Sequence, residues 1–362
     1  MTEALVARAG VCLVTGGAGF IGCAVSGRLA DGFDRVVALD NLHPQVHATA
    51  QRPAALDPRV ELVHGDVTSR ETWDGLLADV RPDVVLHLAA ETGTAQSLTE
   101  STRHAQVNVV GTTQMLDALL RHDALPDRVV LTSSRAVYGE GAWVDAEGRT
   151  HHPGQRTAEM LEAGQWDFPG LTPTPFAAAT VPPRPTSVYG STKLAQEHVL
   201  ASWCLAVGVT PVVLRLQNVY GPGQSLTNPY TGIVPLFARL ARGGEPIPVY
   251  EDGRIIRDFV YIDDVADAVL AGIQRSGTTG HPWDIGSGEG TSILRLAQLV
   301  AEIYGAPEPT ITGAFRNGDV RAASCDIAPT VAGLGWSPQV PVADGLVRLC
   351  RWLDAGATAG PR

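Results

Sequence analysis

Val11-Cys12-Leu13-Val14-Thr15-Gly16-Gly17-Ala18-Gly19-Phe20-Ile21-Gly22 is the stretch whose reading decides the fold. Residues 11–15 are short, apolar and rich in valine, as a buried parallel strand is. Gly16, Gly19 and Gly22 follow at GxxGxxG spacing, and Phe20 and Ile21 open a helical pattern. Gly16 permits a tight turn, Gly19 lets backbone approach a pyrophosphate, and Gly22 lets the helix pack against the sheet. The helix N-terminus then faces an anion. One strand further on, Asp40 ends the run 36–40. A carboxylate there suits both hydroxyls of a ribose and repels a 2′-phosphate. The next residue is Asn41 rather than arginine, so the expected cofactor is NAD and not NADP. Asp66, followed by Val67, ends another strand at the same edge. It either binds an adenine amino group or caps the next helix.

Outward from that turn, strand-length runs at 11–15, 36–40, 60–66, 84–89, 129–133 and 211–216 alternate with helical patterns at 20–30, 69–80, 101–122 and 189–207. The alternation predicts an α/β fold, a Rossmann-type doubly wound parallel sheet. Beyond about Gly221 the helical patterns (232–242, 263–274, 293–304, 342–353) are separated by Gly/Pro-rich turns, which predicts a smaller mixed C-terminal lobe. The expected division is 1–220 for dinucleotide binding and 221–362 for substrate, with the chain crossing back between lobes. Residues 140–185 form a long insertion, with a short helix expected within 156–166. Its Trp143, Met160, Leu161, Trp166, Phe168, Leu171 and Phe176 need a surface to cover. The expectation is a lid over the substrate pocket, or else a dimer contact.

The bulk numbers bound the rest. Of 362 residues, 44% are hydrophobic and 18% charged, an ordinary globular balance. A net charge of -11 argues against nucleic acid or an anionic membrane as partner, so an anionic substrate needs local arginines. No run approaches a membrane span. Residues 1–10 carry no signal-peptide pattern, which points to the cytoplasm. Five scattered cysteines without a CxxC predict free thiols and no zinc site, and His151-His152 has no companion ligand at metal spacing.

Tyr189-Gly190-Ser191-Thr192-Lys193 is a YxxxK on a predicted helix, so both heads share one face. A free tyrosine, with a pKa of ~10, is a poor base at neutral pH. A neighbouring ammonium and a positive nicotinamide ring favour its phenolate. The preceding strand ends in Thr132-Ser133-Ser134-Arg135-Ala136-Val137-Tyr138-Gly139, at the sheet edge where ligands sit, so Ser133 or Ser134 can reach a reacting hydroxyl.

Taken together, TGGAGFIG, Asp40-Asn41, Leu86-His87-Leu88-Ala89-Ala90, Asn108 in NVVGT, SSRAVYG, YGSTK, RLQNVYGP at 215–222 and RDFVYIDDV at 257–265 resemble the extended short-chain dehydrogenase/reductases. The resemblance runs from about residue 11 to 336 and is nearest to the nucleotide-sugar 4-epimerases. It implies Tyr189 as general base, Lys193 on the nicotinamide ribose and Ser134 orienting the substrate hydroxyl. Gly16, Gly19, Phe20, Ile21, Gly22, Asp40, Asn41, Asp66, Val67, Leu88, Ala89, Ala90 and Asn108 would hold NAD. Thr92, Asn218, Arg257, Arg316 and Asp319 would hold a nucleotide-diphosphate sugar, with the arginines on the diphosphate and Asp319 on the nucleotide ribose. Ala323 leaves room where galactose 4-epimerases that exclude N-acetyl sugars tend to be bulky.

The related 4,6-dehydratases carry an Asp-Glu pair where this chain has Arg135-Ala136, so the resemblance argues against loss of water. The stretches 91–97 and 223–233 look like bacterial 4-epimerases of dTDP-6-deoxyhexoses such as dTDP-L-rhamnose. Thr92 stands where the galactose enzymes have lysine. The implied reaction passes through a transient 4-keto sugar and is redox-neutral, in a homodimer. Epimerisation of a UDP-hexose or UDP-N-acetylhexosamine, reduction of a 4-keto sugar nucleotide, and NAD sensing without catalysis remain as alternatives.

Overall fold

The computed structural model describes residues 10–47, 49–225, 232–275 and 281–358. The N-terminal residues 1–9 and residues 226–231 of the stretch 223–233 lie outside them. Seven parallel strands form the central sheet, in the order Trp283–Ile285, Thr210–Leu216, Arg128–Ser134, Val84–His87, Val11–Thr15, Arg35–Asp40 and Glu61–His64. The inner strands are buried on both faces, by one cluster around Val25, Leu29, Val265 and Val269 and another around Trp73, Leu77, Met115 and Leu200, while the edge strand Glu61–His64 stays partly exposed. Continuous apolar strands therefore read correctly as a doubly wound sheet. Strand order reverses between Val11–Thr15 and Val84–His87, where Thr15 stands opposite His87. At such a reversal the crossover helices leave to opposite faces and open a crevice above the strand ends.

The last strand, Trp283–Ile285, and the helix Ile262–Gln274 come from beyond residue 221 yet pack into the central sheet's core. A run of three residues, Trp283 to Ile285, between turns carries no strand-length signal in the sequence. The helical pattern expected at 101–122 is Ser101–Ala105 and Gly111–Arg121 joined by a π-helical turn, Gln106–Val110, that carries Asn108. The second lobe is built on Ile256–Tyr261, which pairs with Asn218–Tyr220, Gly290–Ser292 and Ala322–Ala323. Its core gathers Phe237, Phe259, Leu296, Val300, Leu346 and Leu349.

The insertion folds as a small antiparallel sheet, with Trp143–Val144 between Thr150–His151 and Thr172–Pro173. The helix Ala158–Glu162 starts on Thr157, whose side chain accepts from the Met160 amide. Trp143, Leu161, Phe168 and Phe176 are buried within this one subunit. Phe176 stacks on Tyr138 at 4.6 Å, and its amide donates to Ser324 O. Of 140–185, only Gln155 and Pro185 line the cavity that holds Arg257 and Arg316, and none lines the cavity beside the glycine turn of Gly16. Four of the seven apolar groups that suggested a lid or a dimer contact are thus buried within the subunit, and Met160, Trp166 and Leu171 stay half-buried. His151, expected in a solvated loop, instead ends a strand of this sheet and meets Asp145 at 2.8 Å, and His152 meets Gly141 O; both are half-buried.

Candidate active site

A cavity of about 750 Å³ opens above the strand reversal. Gly16, at φ 66°, forms its turn, and a Cβ there would lie 2.7 Å from Ala89 N. Only glycine lets the turn and the Val84–His87 strand end come together. The helix Phe20–Gly32 begins at Gly19 with no side-chain cap, so its first amides are left for an anion. Gly22 serves a different contact from the one expected. A Cβ there would meet Gly17 O at 2.4 Å, so glycine at 22 lets the helix close against its own turn, while Val25 and Leu29 carry its packing on the sheet. Asp40 accepts from Ala18 N (3.0 Å) and Leu42 N (2.8 Å), which ties the glycine turn to the end of the second strand. A carboxylate oxygen has further lone pairs, and Asp40 also lines the cavity. Phe20, Ile21, Asn41, Val67, Leu88, Ala89 and Ala90 line it as well. A cradle without Cβ atoms, an uncapped helix start and a strand-end acid fit the pyrophosphate and ribose of NAD.

Two residues expected at the cofactor are otherwise engaged. Asp66 accepts from the Thr68 amide and hydroxyl and from Asn41 Nδ2 (3.0 Å), while its neighbours Gly65 and Val67 line the cavity. Asn108 is fully buried. Its Oδ1 accepts from Glu91 N (2.8 Å), and its Nδ2 donates to Glu91 O and Thr192 Oγ1. It braces the Ala90-Glu91 loop against the helix that carries Tyr189.

That helix, Val188–Val207, is capped by Ser187, which accepts from Gly190 N. Tyr189 and Lys193 face the cavity together with Ser134. Burial raises the Tyr189 phenol, while the Ser134 hydroxyl and the Arg135 charge pull it back. Burial pulls the Lys193 ammonium down to about 7. Its Nζ donates to Gln196 Oε1, and Gln196 Nε2 donates to Thr112 Oγ1 (2.8 Å). His87 joins Thr112 and Thr15 below, its pKa held down to about 3 by burial. Ser133 is turned to the other side. It donates to Glu197, which also receives Arg215 in a bidentate pair. Ser134 is therefore the serine at Tyr189.

A second cavity of about 1390 Å³ meets the first at Asn218, which lines both. Arg257, Arg316 and Asp319 line it, with the Arg316 guanidinium 5.1 Å over the Tyr250 ring. Thr92, expected at the substrate, lines the glycine-side cavity instead, and its carbonyl faces His104. Arg135 belongs to the second cavity, and its Nε donates to Asn218 Oδ1 at 2.8 Å. Sequence reasoning noted position 135 only for lacking an acid. Its place directly after Ser134 was the signal that a side chain there enters the site. Among the described residues no cluster of His, Cys, Asp or Glu is arranged for a metal ion.

The chain belongs to the NAD dependent epimerase/dehydratase family, whose model matches residues 12–286. It is 59% identical over 341 residues, 94% of each chain, to the dTDP-L-rhamnose 4-epimerase of Burkholderia thailandensis. Two solved structures superpose over nearly the whole fold. The UDP-glucose 4-epimerase of Thermotoga maritima with UDP-glucose gives a TM-score of 0.78 at 29% identity, covering 96% of this chain and 99% of that one. The UDP-glucose 4-epimerase of Thermus thermophilus with NAD gives 0.75 at 29% identity, covering 95% and 99%.

Proposed function

We propose that this protein is an NAD-dependent nucleotide-sugar 4-epimerase that interconverts dTDP-L-rhamnose and its C4 epimer. The observation that carries the reading is the meeting of two cavities at Asn218, with Tyr189, Ser134 and Lys193 on one side and Arg257 and Arg316 on the other. The similarity to the Burkholderia enzyme supports the choice of sugar.

Arg257 and Arg316 bind the diphosphate as charge-assisted donors, and Asp319 takes the nucleotide ribose. With the diphosphate held there, the hexose lies toward Tyr189. Ser134 Oγ orients the 4-hydroxyl, and Tyr189 Oη removes its proton and later returns it. Gly16, Gly19, Gly22 and Asp40 would hold NAD, with Lys193 on its nicotinamide ribose, and the cofactor would supply a reversible acceptor for the hydride of the sugar's carbon 4. Net inversion requires the 4-keto sugar to present its opposite face before hydride returns, and a cavity of about 1390 Å³ leaves room for the turn. Positions 135 and 136 hold Arg and Ala, so no carboxylate follows Ser134 to assist elimination of water.

No described helix is long and apolar enough to cross a membrane. We take the enzyme to work in the cytoplasm, where its five free thiols stay reduced. We take it to be a homodimer, with exposed apolar side chains such as Val110 and Leu205 available for a contact. Light scattering of the purified protein reads the mass.

The test of function is incubation with dTDP-L-rhamnose, UDP-glucose and UDP-N-acetylglucosamine, with carbon-4 stereochemistry read by NMR. Inversion of the dTDP sugar without net NADH change is expected. Preference for a UDP sugar would transfer the assignment to that substrate, and stoichiometric NADH consumption would make the protein a reductase.

A further inference from the structure

Gln155 and Pro185 are the residues of the insertion that line the cavity of Arg257 and Arg316, and of the two only Gln155 carries hydrogen-bonding groups on its side chain. Its neighbour fixes where it stands. Arg156 is buried and donates to Trp166 O, to Glu251 and to the carbonyl of Asp319. Further along the insertion, Trp166 packs against Phe315 with ring centroids 6.2 Å apart, and Asp167 pairs with Arg321 at 2.7 Å. These contacts fasten the insertion along residues 315–321, the loop that carries Arg316 and Asp319.

Within that loop the Asp319 amide donates to Arg316 O at 3.3 Å, which closes a turn with Gly318 at φ 88°. A Cβ on Gly318 would lie 3.5 Å from Gln155 Nε2. The carboxamide end of Gln155 therefore rests on the bare face of the turn, one residue from Asp319. Gly318 and Asp319 line the same cavity as Gln155. Gln155 is exposed and makes no hydrogen bond among the described residues, so its donors and acceptor are open to a ligand in that cavity.

We propose that Gln155 is a nucleoside contact, donating from its carboxamide to the 3′-hydroxyl of the substrate's nucleotide pentose while Asp319 accepts that hydroxyl's proton. This rests on the reading of the substrate as a dTDP-hexose with Asp319 on the nucleotide ribose. The two side chains are complementary. A carboxylate only accepts, so Asp319 leaves the lone pairs of the hydroxyl oxygen without a donor, and a carboxamide N–H supplies one. Consecutive Cα atoms lie ~3.8 Å apart, so a group held by Asp319 is within reach of a donor resting on Gly318. Arg257 and Arg316 are taken up by the diphosphate. The pentose of a dTDP sugar has one free hydroxyl, and both side chains act on that single group. No residue of 140–185 lines the cavity of Tyr189 and Ser134, so the insertion acts on the nucleotide end of the substrate and not on the hexose.

The experiment measures binding of dTDP and of its 3′-deoxy analogue to NAD-loaded protein by calorimetry. Gln155→Leu keeps the bulk of the side chain and removes its hydrogen bond. It should weaken dTDP about three- to tenfold, the loss of one hydrogen bond, and leave the 3′-deoxy analogue near its parental affinity. An unchanged affinity for dTDP overturns the proposal. Equal losses for the two ligands overturn it as well, because Gln155 would then touch the base or the phosphates instead of the hydroxyl. A parent protein that binds dTDP without epimerising dTDP-L-rhamnose defeats the functional reading alone, since the comparison at Gln155 needs only binding. A parent that binds no dTDP defeats both.

Discussion

Arg156 of the insertion donates from Nη2 to the backbone carbonyl of Asp319 at 2.7 Å, across 163 residues of chain. The same guanidinium pairs with Glu251 at 2.8 Å and donates to Trp166 O. Arg156, Glu251 and Glu140 are each 1% exposed at the side chain, and Arg321 completes the cluster by pairing with Glu251 and Asp252 and donating its amide to Glu140. The insertion therefore holds the loop that presents Arg316 and Asp319.

Removing one partner of such a cluster strands a buried charge, which costs about 3–5 kcal/mol. Arg156→Met should lose stability of about that size in denaturant unfolding. Because Asp319 loses its anchor while Tyr189 is untouched, KM for the nucleotide sugar should rise with kcat nearly unchanged. Arg156→Lys should not rescue it, because one ammonium lacks the spread of donors that reaches Glu251, Trp166 O and Asp319 O together. Retained stability and KM in Arg156→Met would show that the loop is held by other contacts.

Tyr189→Phe keeps the ring and its packing but removes the group that exchanges the 4-hydroxyl proton. Turnover should fall about 10²–10⁴-fold, with NAD content and melting temperature close to the parent. Near-parental turnover in that variant would remove Tyr189 from the mechanism.

Lys193 gives a pH dependence whose sign follows from burial. Its pKa is lowered to about 7, so the ammonium is present below that pH and lost above it. If the charged form holds the nicotinamide ribose, cofactor binding takes up a proton. The affinity of cofactor-free protein for NAD should then weaken above about pH 7, by up to tenfold per unit. Calorimetry in buffers of different ionisation enthalpy should show proton uptake, and Lys193→Met should abolish both effects. A pH-independent affinity in the parent would mean that Lys193 binds NAD in its neutral form or not at all.

Nucleotide extracted from the purified protein should be NAD with little NADP. Asp40 presents a carboxylate to the cavity and is held there by the Ala18 and Leu42 amides, so a 2′-phosphate would meet a fixed negative charge. Asp40→Ala should lower NAD retention and also loosen the glycine turn, visible as faster amide exchange at Ala18. Chromatography of the extract decides the first point, and predominant NADP would refute the assignment of Asp40.

The sheet and its glycine turn were legible because they are local. Strand periodicity, a glycine pattern and an acid at a strand end are set by residues close in sequence, and their chemistry dictates the same turn wherever the fold occurs. Tyr189 and Lys193 were legible for the same reason, since four residues on a helix fix two side chains on one face. Trp283–Ile285 was missed because three residues joining a sheet edge carry no periodicity of their own. Asp66 and Asn108 were placed at the cofactor by position, whereas their hydrogen bonds to Asn41, Thr68, Glu91 and Thr192 depend on which way each side chain turns.

By itself, then, the sequence determined the α/β class, the NAD-type turn and the pairing of tyrosine with lysine. Tertiary structure alone decided what surrounds them. It turned Ser133 toward Glu197 and left Ser134 at Tyr189, brought Arg135 onto Asn218, and buried the insertion's charges against Glu251 and Arg321. Each of these joins groups 55 to 181 residues apart or turns on a choice between adjacent side chains. The physical reason is that a charge or hydroxyl takes its partner from whatever the packed chain brings within about 3 Å, and no sequence spacing encodes that distance.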